Sequence, residues 1–136
     1  MSSPLDRLAD LSAEPPDAGE LAALKHSADE FLADARHPQL SLGSRFTLAY
    51  DAAYAYSLAA LRRHGYRAKN RYIVFQVLPH TLGLGPEVWR VLAKAHEVRN
   101  AVHYHGDFSA DRRLVEDLIS SCEVVRAAVA NLPELP

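Results

Sequence analysis

The sequence predicts an all-α protein, an up-and-down helical bundle of four to five helices, and three observations lead to this fold class. Glycine and proline, the residues that break helices, are concentrated at a few points of the 136-residue chain. Between these points, apolar residues recur at three- and four-residue steps, the period of an amphipathic helix. The one segment with strand-like composition, Tyr72 to Pro79, has no second strand to pair with, and an unpaired strand would leave its backbone groups unsatisfied.

The helix breaks divide the chain into three parts. Residues 1–17 are predicted to form a short N-terminal helix and turn, residues 18–132 the bundle domain, and residues 133–136 a C-terminal tail. The first helix is expected to begin at Ser3 and Pro4, because serine is a common N-cap and proline is favoured at the first helical position. Two consecutive prolines, Pro15 and Pro16, end it.

Two long helices are predicted next. The first should run from Asp17 to about Ala35, since Asp17 and Glu20 have the spacing of a capping box and an apolar stripe follows them. After a loop, Ser44 is expected to cap a second long helix that ends at Gly65.

Three tyrosines lie on the second long helix. Tyr50 and Tyr54 share its apolar face, so core packing is the structural interpretation of both, and stacking on nucleobases is the alternative. Tyr56 lies off this face and is expected to be exposed.

The second half of the chain continues the helical pattern. Asn70 is expected to cap a helix that bends or ends near Pro79. Pro86 then begins a helix that runs to about Tyr104, and Ser109 is expected to cap the last helix.

Length and composition exclude several classes of protein. Hydrophobic residues make up 49% and charged residues 24%, a balance typical of a folded domain. No apolar run approaches the roughly 20 residues of a transmembrane helix, and the N-terminal sequence lacks the pattern of a signal peptide, so we expect a cytoplasmic protein. The single cysteine, Cys122, excludes an internal disulfide and a cysteine-based zinc site, and its apolar face predicts an inert buried thiol.

Charge is unevenly distributed although the net charge is only −2. Counting Asp and Glu against Lys and Arg gives −6 for residues 1–34, +7 for residues 35–113 and −3 for residues 114–136. The basic middle contains a cluster at the junction of two helices, formed by Arg62, Arg63, His64, Arg67, Lys69 and Arg71. This cluster is predicted to bind an RNA backbone or a nucleotide, and a solvated helix end is the structural alternative.

Arg99 lies within the apolar face of its predicted helix. At 100° per residue, with Val88 at zero, Arg99 falls at about 20°, between Leu92 and Ala95 at about 40° and 340°. An unpaired guanidinium on such a face costs several kcal/mol, so Arg99 needs a partner. A buried acid, backbone carbonyls, a subunit seam or an anionic ligand would each serve.

Three histidines, His96, His103 and His105, follow one another within ten residues. A metal site is the first interpretation to test, but His96 and His103 are two turns apart, about 10 Å along the helix axis, which is too far for two ligands of one ion. The spacing of the zincin motif is also missing. We therefore predict no metal and no cofactor, and we consider general acid–base chemistry, the type that RNA cleavage requires.

The segment RNAVHYHG, Arg99 to Gly106, resembles the motif of the HEPN domain superfamily, helical proteins that include bacterial toxin–antitoxin and defence ribonucleases. The family motif is an arginine, usually a polar residue after it, and a histidine after four to six intervening positions. Here Asn100 follows Arg99, and His105 comes after five intervening residues. The order of helices and the tyrosine-rich second long helix extend the resemblance over roughly residues 18–132.

The resemblance implies a homodimer that cleaves RNA without a metal. It assigns the scissile phosphate to Arg99, proton transfer to His105 and a helper role to Asn100. It also implies an RNA substrate and, for the toxin of a two-gene system, a cognate antitoxin protein. The segment is similar as well to an Arg-Asn-x-x-x-Tyr-x-Gly form, in which Tyr104 takes the place of the histidine, and His103 is the third candidate.

Two functional hypotheses follow from these residues. The first is a dimeric HEPN ribonuclease, and the second is a HEPN-like helical module that binds a protein partner or a nucleotide without catalysis. A polar cleft that joins Arg99 and His105 favours the first. An Arg99 ion pair with an acid such as Asp51 or Glu97 favours the second.

Overall fold

Six α-helices form an all-α bundle in the part of the chain that the computed structural model describes, residues 4–105 and 111–135. Side chains are described for residues 5, 6, 8–101 and 111–135. The helices are α1 Ala18–Ala35, α2 Leu42–Arg63, α3 Arg71–Gln76, α4 Leu78–Thr81, α5 Pro86–His105 and α6 Arg112–Ala130. The all-α prediction is confirmed.

Side-chain caps explain where the long helices begin. Asp17 accepts hydrogen bonds from the backbone N–H groups of Gly19 and Glu20, as the capping spacing predicted. The predicted start of α2 was wrong, because Ser41 is the cap and accepts from the N–H of Ser44, one helical turn before the predicted position.

Two more caps bear on the second half of the chain. Asn70 accepts from the N–H of Ile73 and caps α3, which confirms a helix in the segment with strand-like composition. The predicted cap of α6 was wrong, because Asp111 accepts from the N–H of Leu114. Ser109 lies outside the described residues, as do Ser3 and Gly106.

The N-terminal segment differs from the predicted helix. Its helical part is a single 3₁₀ turn, Pro4–Arg7, followed by strand β1, Leu11–Ala13. This strand pairs in an antiparallel sense with β2, Tyr66–Ala68, directly after α2. Both strands have three residues, too few for an alternating pattern to be recognised in the sequence.

α2 is the central helix of the bundle, in contact with α1, α3, α4, α5 and α6. It is therefore buried on more than one face, and Tyr56 is 2% exposed, so its predicted exposure was wrong. The Tyr56 hydroxyl donates to Asp29 on α1. Cys122 of α6 is buried as predicted, and burial raises the pKa of its thiol to about 12.

No helix among the described residues combines the length and the apolar composition that crossing a membrane requires.

Candidate functional site

The candidate site is centred on Tyr50, where α2, α3 and α5 meet. Tyr50 is 1% exposed, and its ring packs against Phe46 of the same helix and Phe75 of α3. Within the described residues, three polar side chains contact Tyr50, and Asn100 contacts one of them, His96. Together they form what we call the Tyr50 cluster: Tyr50, Arg71, His96, Arg99 and Asn100.

His96 connects the cluster through hydrogen bonds at both ring nitrogens. Its Nδ1 lies 2.9 Å from the Tyr50 hydroxyl, and its Nε2 lies 3.2 Å from Nδ2 of Asn100. An amide nitrogen only donates, so Nε2 accepts from Asn100, and the neutral ring carries its proton on Nδ1 and donates to Tyr50. The imidazole is thus held in one orientation between α2 and the next turn of α5.

Arg99 and Arg71 approach the same tyrosine ring from α5 and α3. The Arg99 Cζ lies 5.1 Å from the Tyr50 ring centroid, and the Arg71 Cζ lies 6.0 Å from it. Arg71 also lies over the Tyr54 ring, with Cζ 4.3 Å from its centroid, a cation–π distance. The fold therefore brings together an arginine from the predicted basic cluster and the arginine of the HEPN-like motif.

Neither guanidinium of the Tyr50 cluster forms an ion pair with a described carboxylate. In particular, Arg99 forms no ion pair with Asp51 or Glu97, the two acids that the sequence analysis named as possible partners. Both arginines are partly buried without a described carboxylate at ion-pair distance, and the half-buried Asp51 is the acid on which their charges act.

The pKa shifts show that both arginines act on the same groups. Burial raises the pKa of Asp51, and the charges of Arg71 and Arg99 oppose this rise. Burial raises the pKa of the Tyr50 hydroxyl, which both arginines likewise counteract. Burial lowers the pKa of His96, and the charges of Arg99 and Arg71 lower it further, so the imidazole is neutral at pH 7.

Arg62, another residue of the predicted basic cluster, has structural partners. Arg62 is 1% exposed and donates to Glu20 and to the carbonyls of Glu14, Pro15 and Tyr66. We therefore do not include Arg62 in a surface that binds a ligand.

Arg67, Arg63 and Lys69 lie nearer to the surface. Arg67 forms ion pairs with Glu14 and Glu20, and Arg63 donates to backbone carbonyls of the C-terminal segment, at Pro133 and Glu134. The side chain of Lys69 is exposed. His64 is hydrogen-bonded through Nε2 to the carbonyl of Thr81. Of the six residues of the predicted basic cluster, only Arg71 belongs to the Tyr50 cluster.

Three predicted site residues lie at the end of α5. The helix continues to His105, but the side chains of His103, Tyr104 and His105 lie outside the described residues. The described part of the motif is the Arg99–Asn100 pair.

His96 and Tyr50 are members of the site that the sequence analysis did not select. His96 was considered with His103 as a metal ligand and was assigned no role in the RNA site. The four-residue step from His96 to Asn100 was the available signal, because such a step places two side chains side by side on a helix. The hydrogen-bond partner of Nδ1 is Tyr50 of α2, which is 46 positions away in the sequence, so no local pattern could indicate this contact.

The described residues include no candidate metal-binding group, and a groove in the structure lies away from the Tyr50 cluster. No group of three His, Cys, Asp or Glu side chains within the described part of the chain could hold a metal ion. A groove of about 280 Å³ lies elsewhere, lined by residues such as Leu21, Lys25 and Arg63, and it shares no residue with the Tyr50 cluster.

Comparisons with protein-family models, with curated proteins and with solved structures give no match to this chain.

Proposed function

We propose that this chain is a metal-independent endoribonuclease of the HEPN type that acts as a homodimer in the cytoplasm. One observation carries the proposal. Arg71 and Arg99 converge on a buried tyrosine, and neither forms an ion pair with a described carboxylate. The phosphodiester of an RNA chain is the anion that the proposal places there.

Arg71 and Arg99 are two like charges in partly buried positions around one tyrosine ring. Guanidinium groups near each other repel, and burial removes water that would screen them. A phosphate group supplies negative charge to both, and the planar guanidinium matches its oxygens with paired hydrogen bonds. The site is therefore stabilised by the ligand that it is proposed to bind.

The proposed chemistry needs few groups. A base removes the proton of the ribose 2′-hydroxyl, and that oxygen attacks the adjacent phosphorus. The bond from phosphorus to the 5′-oxygen breaks, and an acid returns a proton to the leaving oxygen. Arg99 stabilises charge on the phosphate oxygens, His105 transfers protons, and Asn100 helps to orient the substrate.

Dimerisation completes the proposed site. In the HEPN arrangement two motifs face each other, so that each phosphate lies between the Arg99 residues of two subunits. Lys69 and Arg71 extend the positive surface along the RNA backbone. The biological role that fits this activity is the toxin of a toxin–antitoxin or defence system, with an antitoxin protein as partner.

RNA cleavage by purified protein in EDTA tests the proposal. We expect wild-type protein to cleave single-stranded RNA, and we expect Arg99→Ala and His105→Ala to lose at least about 100-fold of that rate. Arg90→Ala is the matched control, because Arg90 is an exposed arginine of the same helix that contacts Trp89. Equal cleavage by all four proteins would mean that the activity does not come from this site.

A second function, a HEPN-like module that binds a protein partner or a nucleotide without catalysis, is favoured by a specific observation. His96, the histidine of the Tyr50 cluster, is hydrogen-bonded at both ring nitrogens, so among the described residues the cluster offers two arginines for an anion and no imidazole nitrogen free for proton transfer. Wild-type protein that binds RNA or a nucleotide through Arg71 and Arg99 but cleaves no RNA would support this function.

A further inference from the structure

We propose that His96 is a positioning residue that orients the Asn100 side-chain amide, so that its oxygen end is presented to a ribose 2′-hydroxyl. The inference rests on the proposed function, in which Asn100 is a helper at the RNA site. It adds a reason for the site to prefer RNA to DNA, and it assigns that preference to a residue outside the RNAVHYHG segment.

The imidazole of His96 cannot rotate freely. Nδ1 is bonded to the hydroxyl of Tyr50, which is almost completely buried. The ring also lies 6.0 Å from Tyr72 and 6.4 Å from Phe75 between ring centroids, so α3 covers it from another side. A ring that is fixed by α2 and α3 can impose an orientation on its neighbour along α5.

The side-chain amide of Asn100 has a nitrogen end that donates and an oxygen end that accepts hydrogen bonds. Nδ2 of Asn100 lies 3.2 Å from Nε2 of His96. The amide oxygen lies at the other end of the same planar group, and it is an acceptor only. A ribose 2′-hydroxyl can donate to that oxygen, whereas a deoxyribose offers no donor at this position.

Protonation of His96 would reverse the orientation of the Asn100 amide. An imidazolium donates from both nitrogens, so Nε2 would then need the Asn100 oxygen, and the amide would turn around. The charged and titratable groups around His96 come from α2, α3 and α5. Arg99 and Arg71 oppose its protonation and Glu97 favours it, while Tyr50 and Tyr72 contact the ring and Asp51 responds to the same two arginines.

The ratio of RNA affinity to DNA affinity is the quantity that tests this inference. All proteins carry His105→Ala to prevent cleavage, and the probes are an RNA and a DNA single strand of one sequence. At pH 7.5 we expect the unsubstituted background to prefer RNA about tenfold, the value of one well-made hydrogen bond. His96→Leu should abolish most of that preference by weakening RNA binding, with DNA binding changed less than about twofold.

A conservative variant separates positioning from packing. His96→Gln supplies an amide oxygen that can accept from Asn100 but does not titrate, so it should retain the preference for RNA at pH 7.5 and also at pH 5.5. In the His96 background the preference should fall as the pH is lowered and the imidazole becomes protonated. If His96→Leu fails to fold, Tyr50→Phe, which removes one hydrogen bond of the imidazole, should lower the same ratio.

The outcomes distinguish this inference from the proposed function. The positioning role is overturned if His96→Leu leaves the ratio of RNA affinity to DNA affinity unchanged, whether both affinities stay the same or both fall together. This holds even where wild-type protein cleaves RNA. If the ratio falls in His96→Leu as expected but wild-type protein, with His105 intact, cleaves no RNA, the positioning role is supported and the nuclease is contradicted. Protein that binds neither strand overturns both.

Discussion

Arg62 on α2 donates from Nε to the Glu20 carboxylate on α1 across 2.6 Å, although its side chain is only 1% exposed. The same guanidinium reaches the carbonyls of Glu14, Pro15 and Tyr66. A cation that sequence analysis assigned to RNA binding therefore joins the N-terminal segment, α1 and β2. The buried charge is tolerated because its donors have partners.

Replacing this arginine should destabilise the fold. Arg62→Met keeps much of the side-chain volume but removes the donor to three backbone carbonyls and one of the two arginines that bind the Glu20 carboxylate. We expect a loss of about 3 kcal/mol in the free energy of unfolding. Urea denaturation followed by circular dichroism measures it. Arg36→Ala is the control, because Arg36 forms an exposed ion pair with Glu123, and its loss should cost less than about 1 kcal/mol. Equal costs for the two variants would contradict the structural role of Arg62.

Stability should depend on pH through His96. Its pKa in the folded protein is lowered from the ordinary value of 6.5 by burial and by Arg99 and Arg71. The unfolded chain therefore binds this proton more readily, so the stabilising contribution is complete above pH 6.5 and is lost as the pH falls through the folded pKa. Thermal unfolding between pH 5 and 7.5 should show a shallower decline for His96→Gln than for wild type. A decline for His96→Gln that is as steep as that of wild type, or steeper, would contradict the prediction.

Cys122 should be chemically silent in the folded protein. Burial raises the pKa of its thiol to about 12, so almost no thiolate exists at pH 8, and its side chain is not accessible to reagents. A disulfide reagent should label less than about a tenth of the native protein in the time that labels urea-unfolded protein completely. Rapid labelling of native protein, with circular dichroism unchanged, would show that α6 is open at this position.

The long helices were predictable because their signals are local. Asp17 and Asn70 cap helices at the expected positions, and the apolar repeats between them need no knowledge of the rest of the chain. The incorrect predictions concern features that depend on contacts between segments far apart in the sequence. The strand pair β1–β2 joins segments more than fifty residues apart, and Tyr56 is buried because α2 is covered on several sides rather than on one face.

The candidate site shows the same division. Arg99 and Asn100 were selected because they form a recognisable segment, and Arg71 was selected as one charge among several. That Arg71 and Arg99 approach one ring depends on how α3 crosses α2 and α5, which no local pattern records. The bond between Tyr50 and His96 spans 46 positions and has the same cause.

The most direct measurement is the affinity of the protein for a short single-stranded RNA in EDTA, compared among wild type, Arg71→Gln and Arg99→Gln. If both guanidiniums bind phosphate, each substitution should weaken binding about tenfold or more, since charge-assisted hydrogen bonds are worth roughly 1.5–3 kcal/mol. Arg90→Gln, on an exposed face of α5, should bind within about twofold of wild type. RNA affinity that is unchanged in Arg99→Gln would contradict the assignment of the Tyr50 cluster as the RNA site.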